Sequence, residues 1–331
     1  MKRPPGSPDG FFWYSGKMKQ MNAIKNLPGF FLFIVAAAIL FSTGFAGAME
    51  QPLPDRDVLR EIYRRNISEL ENDSFGFPLF LESMEQGDKV TVDVYGVFDY
   101  PFNRVADVAK TPANWCEILF LHPNVKAGTY RSLLGKWLLT FYAGRKVYQA
   151  PEDTHPIVYH FRIVEQGPDY LNVLFTADTG PLGTKDHLIR FEVMPLDGGR
   201  AFAHVRYAYS RGVVFRLAEK LYFRTLGRNK VGFTMTRTGK DGKSAYIGGA
   251  RGALERNAVR YYFAFQSFMD TLHFPKESRF RMRIGNWYDL TNRYRKQLYE
   301  MDKEDYLKVK TKEYKNQQIL QLQIKTRPSM P

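Results

Sequence analysis

The chain has 331 residues, a formal net charge of +14 and a single cysteine, Cys116. One cysteine excludes an internal disulfide, so the fold must be held by its core, and the length suffices for one or two domains. The basic excess carries no nucleic-acid recognition motif with it.

Residues 30–41, FFLFIVAAAILF, are apolar throughout; Lys17, Lys19 and Lys25 precede them and Ala46-Gly47-Ala48 follows. A basic stretch, an apolar stretch and small residues at the end form the pattern of a secretory signal peptide cleaved after Ala48. Read through Ala48, the same segment is also just long enough to stay as an uncleaved anchor, for which about 20 residues are needed. Either way the chain is expected to be exported, and an exported chain without disulfides suits a bacterial periplasm. Removing residues 1–48 takes five cations and one acid, leaving +10, and residues 276–331 hold fourteen Lys/Arg against seven Asp/Glu. That basic C-terminal stretch suits contact with an anionic membrane as well as a solvated surface.

Residues 55–72 read as an amphipathic helix through Val58, Leu59, Ile62 and Leu70, and Phe75–Leu81 as an irregular or edge strand. Val90, Val92 and Val94 alternate with polar residues, which gives a strand over 89–98. Pro101 opens one short helix and Pro112 separates it from a second through Trp115, Ile118 and Leu119. Strands follow at 136–146, 157–165, 170–177, 187–194 and 201–209, the last two joined by Asp197-Gly198-Gly199, a hairpin turn signal. A helix over 213–226 precedes a seventh strand at 231–237. Leu254, Ala258, Tyr261, Phe265, Phe268 and Leu272 then mark a long helix over 250–272. Trp287, Leu290, Tyr294, Leu298 and Met301 make a further amphipathic stripe, expected to strap onto the body as a helix fraying after Tyr314.

This order of elements resembles the helix-grip fold of the START-like (SRPBCC) superfamily. Trp115-Cys116-Glu117-Ile118, Gly180-Pro181-Leu182-Gly183-Thr184 and Tyr246-Ile247-Gly248-Gly249 are similar to phrases of uncharacterised exported bacterial proteins. The resemblance implies an α+β architecture: a curved seven-stranded antiparallel sheet wrapped around a long C-terminal helix, with extra helices at both ends. It also implies one hydrophobic ligand held between sheet and helix. The expected organisation is a leader over 1–48, a helix and edge segment over 49–88, and the START-like domain over 89–274. That domain carries a helical insertion over 211–229 and is followed by a basic helical extension over 275–331.

Alternation puts the apolar strand residues on one sheet face, toward the long helix, and His160, Arg162, Arg190, Glu192, His204 and Arg206 on the other, toward water with Arg–Glu pairs across strands. Tyr159, Phe161, Phe175, Phe191, Tyr207, Tyr209, Tyr261 and Phe265 are the candidate pocket lining, with tyrosine hydroxyls to hold a polar head; the same face also fits a solid core. Gly180-Pro181-Leu182-Gly183 is a candidate mouth loop. In the 213–226 helix, Phe215, Arg216, Lys220 and Arg224 are membrane-contact candidates, an apolar side edged by cations. Cys116 precedes His122 by six residues, but it lies between Trp115 and Ile118 on a predicted helix, where a buried inert thiol is the ordinary outcome, so no catalytic residue is assigned. The six histidines show no metal-ligand spacing, and Gly248-Gly249-Ala250-Arg251-Gly252 lacks the dinucleotide pattern, so neither metal nor cofactor is expected. Three readings stay open. The first is a periplasmic carrier or sensor of a lipid-like ligand. The second is an enzyme acting on a hydrophobic substrate in the same cavity. The third is an envelope interaction protein with a solid core that binds protein partners through its C-terminal extension.

Overall fold

The computed structural model describes residues 56–71, 76–225, 227–236 and 245–326, which belong to one compact unit, Pro54–Pro331. The expected leader lies outside these residues. In chain order the elements are α1 (Arg56–Glu71), β1 (Leu79–Gln86), β2 (Lys89–Phe98), α2 (Phe102–Ala109), α3 (Pro112–Phe120), β3 (Val125–Leu133), β4 (Lys136–Ala143), β5 (His155–Gln166), β6 (Leu171–Thr179), β7 (Lys185–Leu196) and β8 (Arg200–Ser210). Then come α4 (Val213–Arg224), β9 (Met235–Thr236), β10 (Ala245–Tyr246), α5 (Gly249–Asp270), α6 (Lys276–Asn292), α7 (Arg295–Leu298) and α8 (Lys303–Thr326).

Eight strands form one antiparallel sheet in the order β1-β2-β8-β7-β6-β5-β4-β3. This is the helix-grip arrangement, with one strand more than expected and a different membership. Of the expected seventh strand, the described residues 231–236 do not join the sheet: among the described residues Met235–Thr236 pairs with Ala245–Tyr246, and the amides of Phe233 and Thr234 donate to the Glu255 carboxylate. One edge is filled by β1, which overlaps the expected edge strand, and the other by β3, which the alternation rule passes over. VKAGTYRSL lacks a period of two because α3 and α8 cover it, leaving Lys126 and Thr129 as buried as Val125 and Ala127. The β7–β8 hairpin closes between Leu196 and Arg200 over the three residues Asp197-Gly198-Gly199, with Gly198 and Gly199 both at positive φ, which glycine adopts without strain.

The inner face meets α3 and α5 in the main core, around Val92, Val94, Phe175, Phe191, Phe263 and Phe265, and α6 packs behind α5. The outer face departs from the expectation that it meets water. At β5 it does: His160 and Arg162 are exposed. Across β7, β8 and β2 it is covered, because α1 lays Leu59, Leu70 and Tyr63 over Tyr95, Phe202 and Met194. Beneath that cover Glu192 and His204 are buried. His204 Nδ1 lies 2.9 Å from Glu192 Oε2 and Nε2 lies 2.7 Å from Asp93 Oδ1. Burial works against the imidazolium, but the hydrogen bonds to Asp93 and Glu192 outweigh it and raise the His204 pKa. Arg190 sits opposite Arg206, not opposite an acid; Arg206 pairs with Asp93 at 2.7 Å.

The basic extension is built into the body. The expected single stripe breaks at Arg293–Tyr294, and α8 continues to Thr326 without fraying after Tyr314. Its inner side is polar: Lys310 and Glu313 are buried against Lys126 of β3. Lys310 Nζ donates to Val125 O at 2.7 Å, and Lys126 Nζ donates to Pro123 O at 2.6 Å. Further along, Gly128 N–H donates to Gln317 Oε1 at 2.6 Å, and Gln321 both accepts from Tyr130 N–H and donates to Tyr130 O. Polar residues on a predicted surface stripe thus became interior contacts.

Glu313→Gln leaves two buried ammonium groups without their carboxylate and should cost about 3–5 kcal/mol in urea unfolding. Burial overrides the opposing Glu313 carboxylate, with a smaller push from Lys126, and takes Lys310 down to about 8, against 10.5 when unfolded. The unfolded state therefore binds more protons between those values, and the stability contributed at this site should rise with pH across that window.

Candidate functional site: an apolar cavity under the long helix

α5 carries aromatic residues at helical spacing along the side that faces the sheet. Its seating is fixed by a notch: a Cβ at Gly96 would stand 2.4 Å from the Tyr262 ring, so only glycine on β2 lets that ring in. Tyr262 then stacks on Phe98 at 5.1 Å, and Phe265 stacks on Phe191 at 4.9 Å. Trp115 of α3 meets Phe191 edge-on at 5.4 Å and anchors its indole N–H on Ala109 O at 2.6 Å.

Between these rings lies a largely enclosed cavity of about 40 Å³. β2 supplies Val92, Val94 and nearby Phe98; β7 supplies Ile189 and Phe191; β8 supplies Val205 and Tyr207. Trp115 and Leu119 of α3 and Ala258, Tyr261, Tyr262 and Phe265 of α5 complete it. The space holds one or two water-sized molecules, and its walls are apolar apart from tyrosine hydroxyls. An unfilled void of this size costs about 1 kcal/mol. Burial, then the neighbouring Tyr159, Tyr209 and Tyr261, pushes the Tyr207 phenol well up, and burial pushes Tyr261 up to about 12. Among the described residues no side-chain hydrogen bond relieves either hydroxyl.

Of the eight candidate lining residues, Phe191, Tyr207, Tyr261 and Phe265 line the cavity and four do not. Tyr159, Phe161 and Phe175 lie further along the same sheet face in a solid aromatic cluster, with Phe161 and Phe175 at 5.1 Å and Tyr159 and Phe141 at 5.9 Å. Tyr209 is turned toward His187, stacked at 5.3 Å, and takes Phe215 edge-on at 6.1 Å. Phe98, Trp115, Ala258 and Tyr262 were not in the candidate set. Their signal depended on strand order and on the Gly96 notch, and a linear pattern shows neither.

Beyond the Tyr207 end of the cavity, past Tyr209 and Phe215, α4 packs on the Pro181–Gly183 turn, which does not itself line the cavity. A Cβ on Gly212 would lie 2.8 Å from Gly183 O, which presses the two together. Leu182 stands 61% exposed at φ 55°, a conformation costly for leucine. On α4, Val213, Leu217 and Leu221 are exposed, as are Arg216, Lys220 and Arg224, whereas Phe215 turns inward to Tyr209 and does not join that outer surface. No helix among the described residues is long and apolar enough to cross a membrane.

Two histidines flank the cavity behind its tyrosines. His122 stacks on Tyr261 at 4.9 Å; its Nδ1 accepts from Asn124 N–H, so the neutral ring donates Nε2–H to Asn257 Oδ1. Burial, then Arg260 and Lys146, holds its pKa well below the usual value. His187 is buried with Nε2 against Thr184 Oγ1 at 2.9 Å, and burial lowers it to about 4. Cys116 is buried, and burial, then Glu117, pushes its thiol up. Among the described residues no cluster of His, Cys, Asp and Glu has metal-ligand geometry.

No protein-family model matches the chain, and no curated protein matches it in sequence. Solved structures show low-scoring similarity to it. Human STARD10 is 10% identical, covering 55% of this chain and 78% of its own, with a TM-score of 0.29. The ZhuI aromatase/cyclase of Streptomyces sp. R1128 is 12% identical over 60% and 94%, with a TM-score of 0.31. Truncated norcoclaurine synthase of Thalictrum flavum is 14% identical over 42% and 87%, at 0.29. These are helix-grip folds. Such scores carry no argument about this chain, and what the cavity does is read from its own walls.

The His187 environment makes a pH prediction. With a folded value of about 4 against 6.5 unfolded, the unfolded state binds more protons in between, so stability should rise from pH 4 to 6.5. The contribution is on the order of 3 kcal/mol, and thermal melts of His187→Phe should lose that part of the wild-type pH dependence.

Proposed function

We propose that this protein binds and carries a hydrophobic, lipid-like molecule in the cavity beneath α5, in the exported, periplasmic setting that the leader pattern of residues 17–48 supports. The observation that carries the reading is the cavity itself: apolar walls interrupted only by tyrosine hydroxyls, two of which, on Tyr207 and Tyr261, lack side-chain partners. Such walls favour an apolar body, and unrelieved hydroxyls orient a polar end. Tyrosine is the only titratable type on the lining, and Tyr207, Tyr261 and Tyr262 all have raised pKa values, which favours binding over acid–base catalysis.

At about 40 Å³ the cavity is a closed form, far below the several hundred Å³ of a drug-sized site. Uptake therefore requires the wall to open. The rim suits this: Tyr207 lines the cavity, Tyr209 lies 5.5 Å from it, and Phe215 and Leu182 lead on to the surface. Burying about 300 Å² of ligand would return roughly 7 kcal/mol against the cost of opening.

Native mass spectrometry of residues 49–331, purified without harsh detergent, should show a stoichiometric hydrophobic species. Ala258→Leu fills the void from the helix side; it should keep or raise the melting temperature while cutting ligand occupancy by about tenfold or more. A clean mass with no uptake from a bacterial lipid extract would sink the reading.

The exposed Val213, Leu217, Leu221 and Leu182, edged by Arg216, Lys220 and Arg224, support a second element: this rim meets an anionic lipid surface during loading. The double substitution Leu217→Asp and Leu221→Asp should abolish co-sedimentation with phosphatidylglycerol vesicles and slow ligand transfer, with bound ligand at equilibrium unchanged. Equal sedimentation of both proteins would refute rim docking.

A further inference from the structure

On the side of α5 away from the cavity, cations outnumber acids. Arg260 is fully buried; its Nη2 donates to Glu300 Oε1 at 2.7 Å and to Leu298 O at 3.1 Å. Lys146 Nζ lies 2.6 Å from the same carboxylate oxygen, and Lys230 Nζ lies 3.3 Å from Glu300 Oε2. One turn before Arg260, Arg256 is also buried, and among the described residues it donates one hydrogen bond, to Val231 O at 3.1 Å. It senses Arg260 and Glu300 electrostatically but has no carboxylate at ion-pair distance among the described residues. Arg260 Nε is buried with no hydrogen-bond partner.

The other acid in reach, Glu255, is already spent. Its two oxygens accept from Ser83 Oγ, Thr234 Oγ1 and the amides of Phe233 and Thr234. Asn257 receives Arg260 Nη1 and faces His122, which is neutral. Four cations therefore share one available carboxylate. Burying a cation without an anion is expensive, and a chain that needed only structure would place an apolar residue at Arg256. Burial, then Arg260, pushes Lys146 down to about 8 and Arg256 down to about 10, the mark of crowded positive charge. The nest has a graded approach: the Lys146 and Lys230 side chains are 31% and 30% exposed, Glu300 11% and Arg260 1%. Two half-exposed lysines lead to two buried guanidinium groups, whose planar forks suit an oxyanion.

We propose that Arg256, Arg260, Lys146 and Lys230 form a binding site for a phosphate-class oxyanion, which Glu300 fills from within the chain. Glu300 lies in the short non-helical linker between α7 and α8, so its carboxylate withdraws with little disruption of either helix. The incoming anion takes over the ion pairs and gains Arg256 and Arg260 Nε. The site stands independently of the cavity. The two are nonetheless neighbours, because Arg260 and the cavity residue Tyr261 are consecutive on α5. The anion is thus either free phosphate or the phosphate head of a lipid whose apolar part lies in the cavity.

The test uses the chain from residue 49 and titrates inorganic phosphate by calorimetry, then dodecyl phosphate and dodecanol. Wild type should bind phosphate saturably. Arg256→Gln and Lys146→Gln should weaken it by about tenfold or more each, and Glu300→Gln should tighten it by about tenfold. Arg256→Gln removes no carboxylate's partner, so unchanged circular dichroism and urea unfolding are expected to accompany the loss. Dodecyl phosphate binding tighter than both phosphate and dodecanol, with the gain abolished by Ala258→Leu, identifies a lipid head; equal binding of phosphate and dodecyl phosphate identifies free phosphate. No saturable phosphate binding, or binding that Arg256→Gln and Lys146→Gln leave unchanged, overturns the site whatever the cavity does.

Discussion

The seating of α5 against the inner face of the sheet is the constraint on which everything else rests. It is held at several depths. Near the N-terminus Glu255 ties the helix to Ser83 of β1 and to the 233–234 backbone, and Gly232 is obligatory there because a Cβ would meet the Glu255 carboxylate at 2.4 Å. In the middle, Tyr262 drops into the notch at Gly96. Beyond it, Asp270 accepts from Tyr100, Gln266 and Asn286. A helix pinned this way cannot slide to close the gap between its small residue, Ala258, and the sheet, so the void persists as a property of the register.

How much of this was legible in the sequence follows from what each residue touches. Strands with one wet and one dry face announced themselves: β5, where exposed His160 and Arg162 alternate with buried Tyr159 and Phe161, is the clearest. β3 hid because both its faces are covered, and α8 supplies buried polar partners where an apolar stripe was sought. The 231–237 segment misled for the opposite reason: Val231, Phe233 and Met235 alternate as a strand would, yet Glu255 captures the amides that a sheet would need. Covered strands and buried charges lie beyond the hydrophobic period, since burial there is set by a partner distant in sequence.

The cavity shows the same division. Phe191, Tyr207, Tyr261 and Phe265 share the lining because alternation on two strands and helical spacing on α5 aim them at one another. Tyr159, Phe161 and Phe175 obey the same alternation but sit on β5 and β6, where aromatic rings fill the space. Alternation gives the face, and only the packing of α3 and α5 gives the position of the gap along it. The outer face was misjudged similarly, since the helix that buries Glu192 and His204 is α1, more than a hundred residues away.

The glutamines of α8 bear on the life of the molecule in a crowded compartment. β3 is the last strand of the sheet, and its free edge offers a row of amide and carbonyl groups to any other extended chain. Gln317 and Gln321 occupy that row at Gly128 and Tyr130, hydrogen-bonding as a ninth strand would while remaining helical. The basic extension is thus an edge guard, and losing it would turn the sheet into a template for intermolecular β-pairing before it unfolded the core.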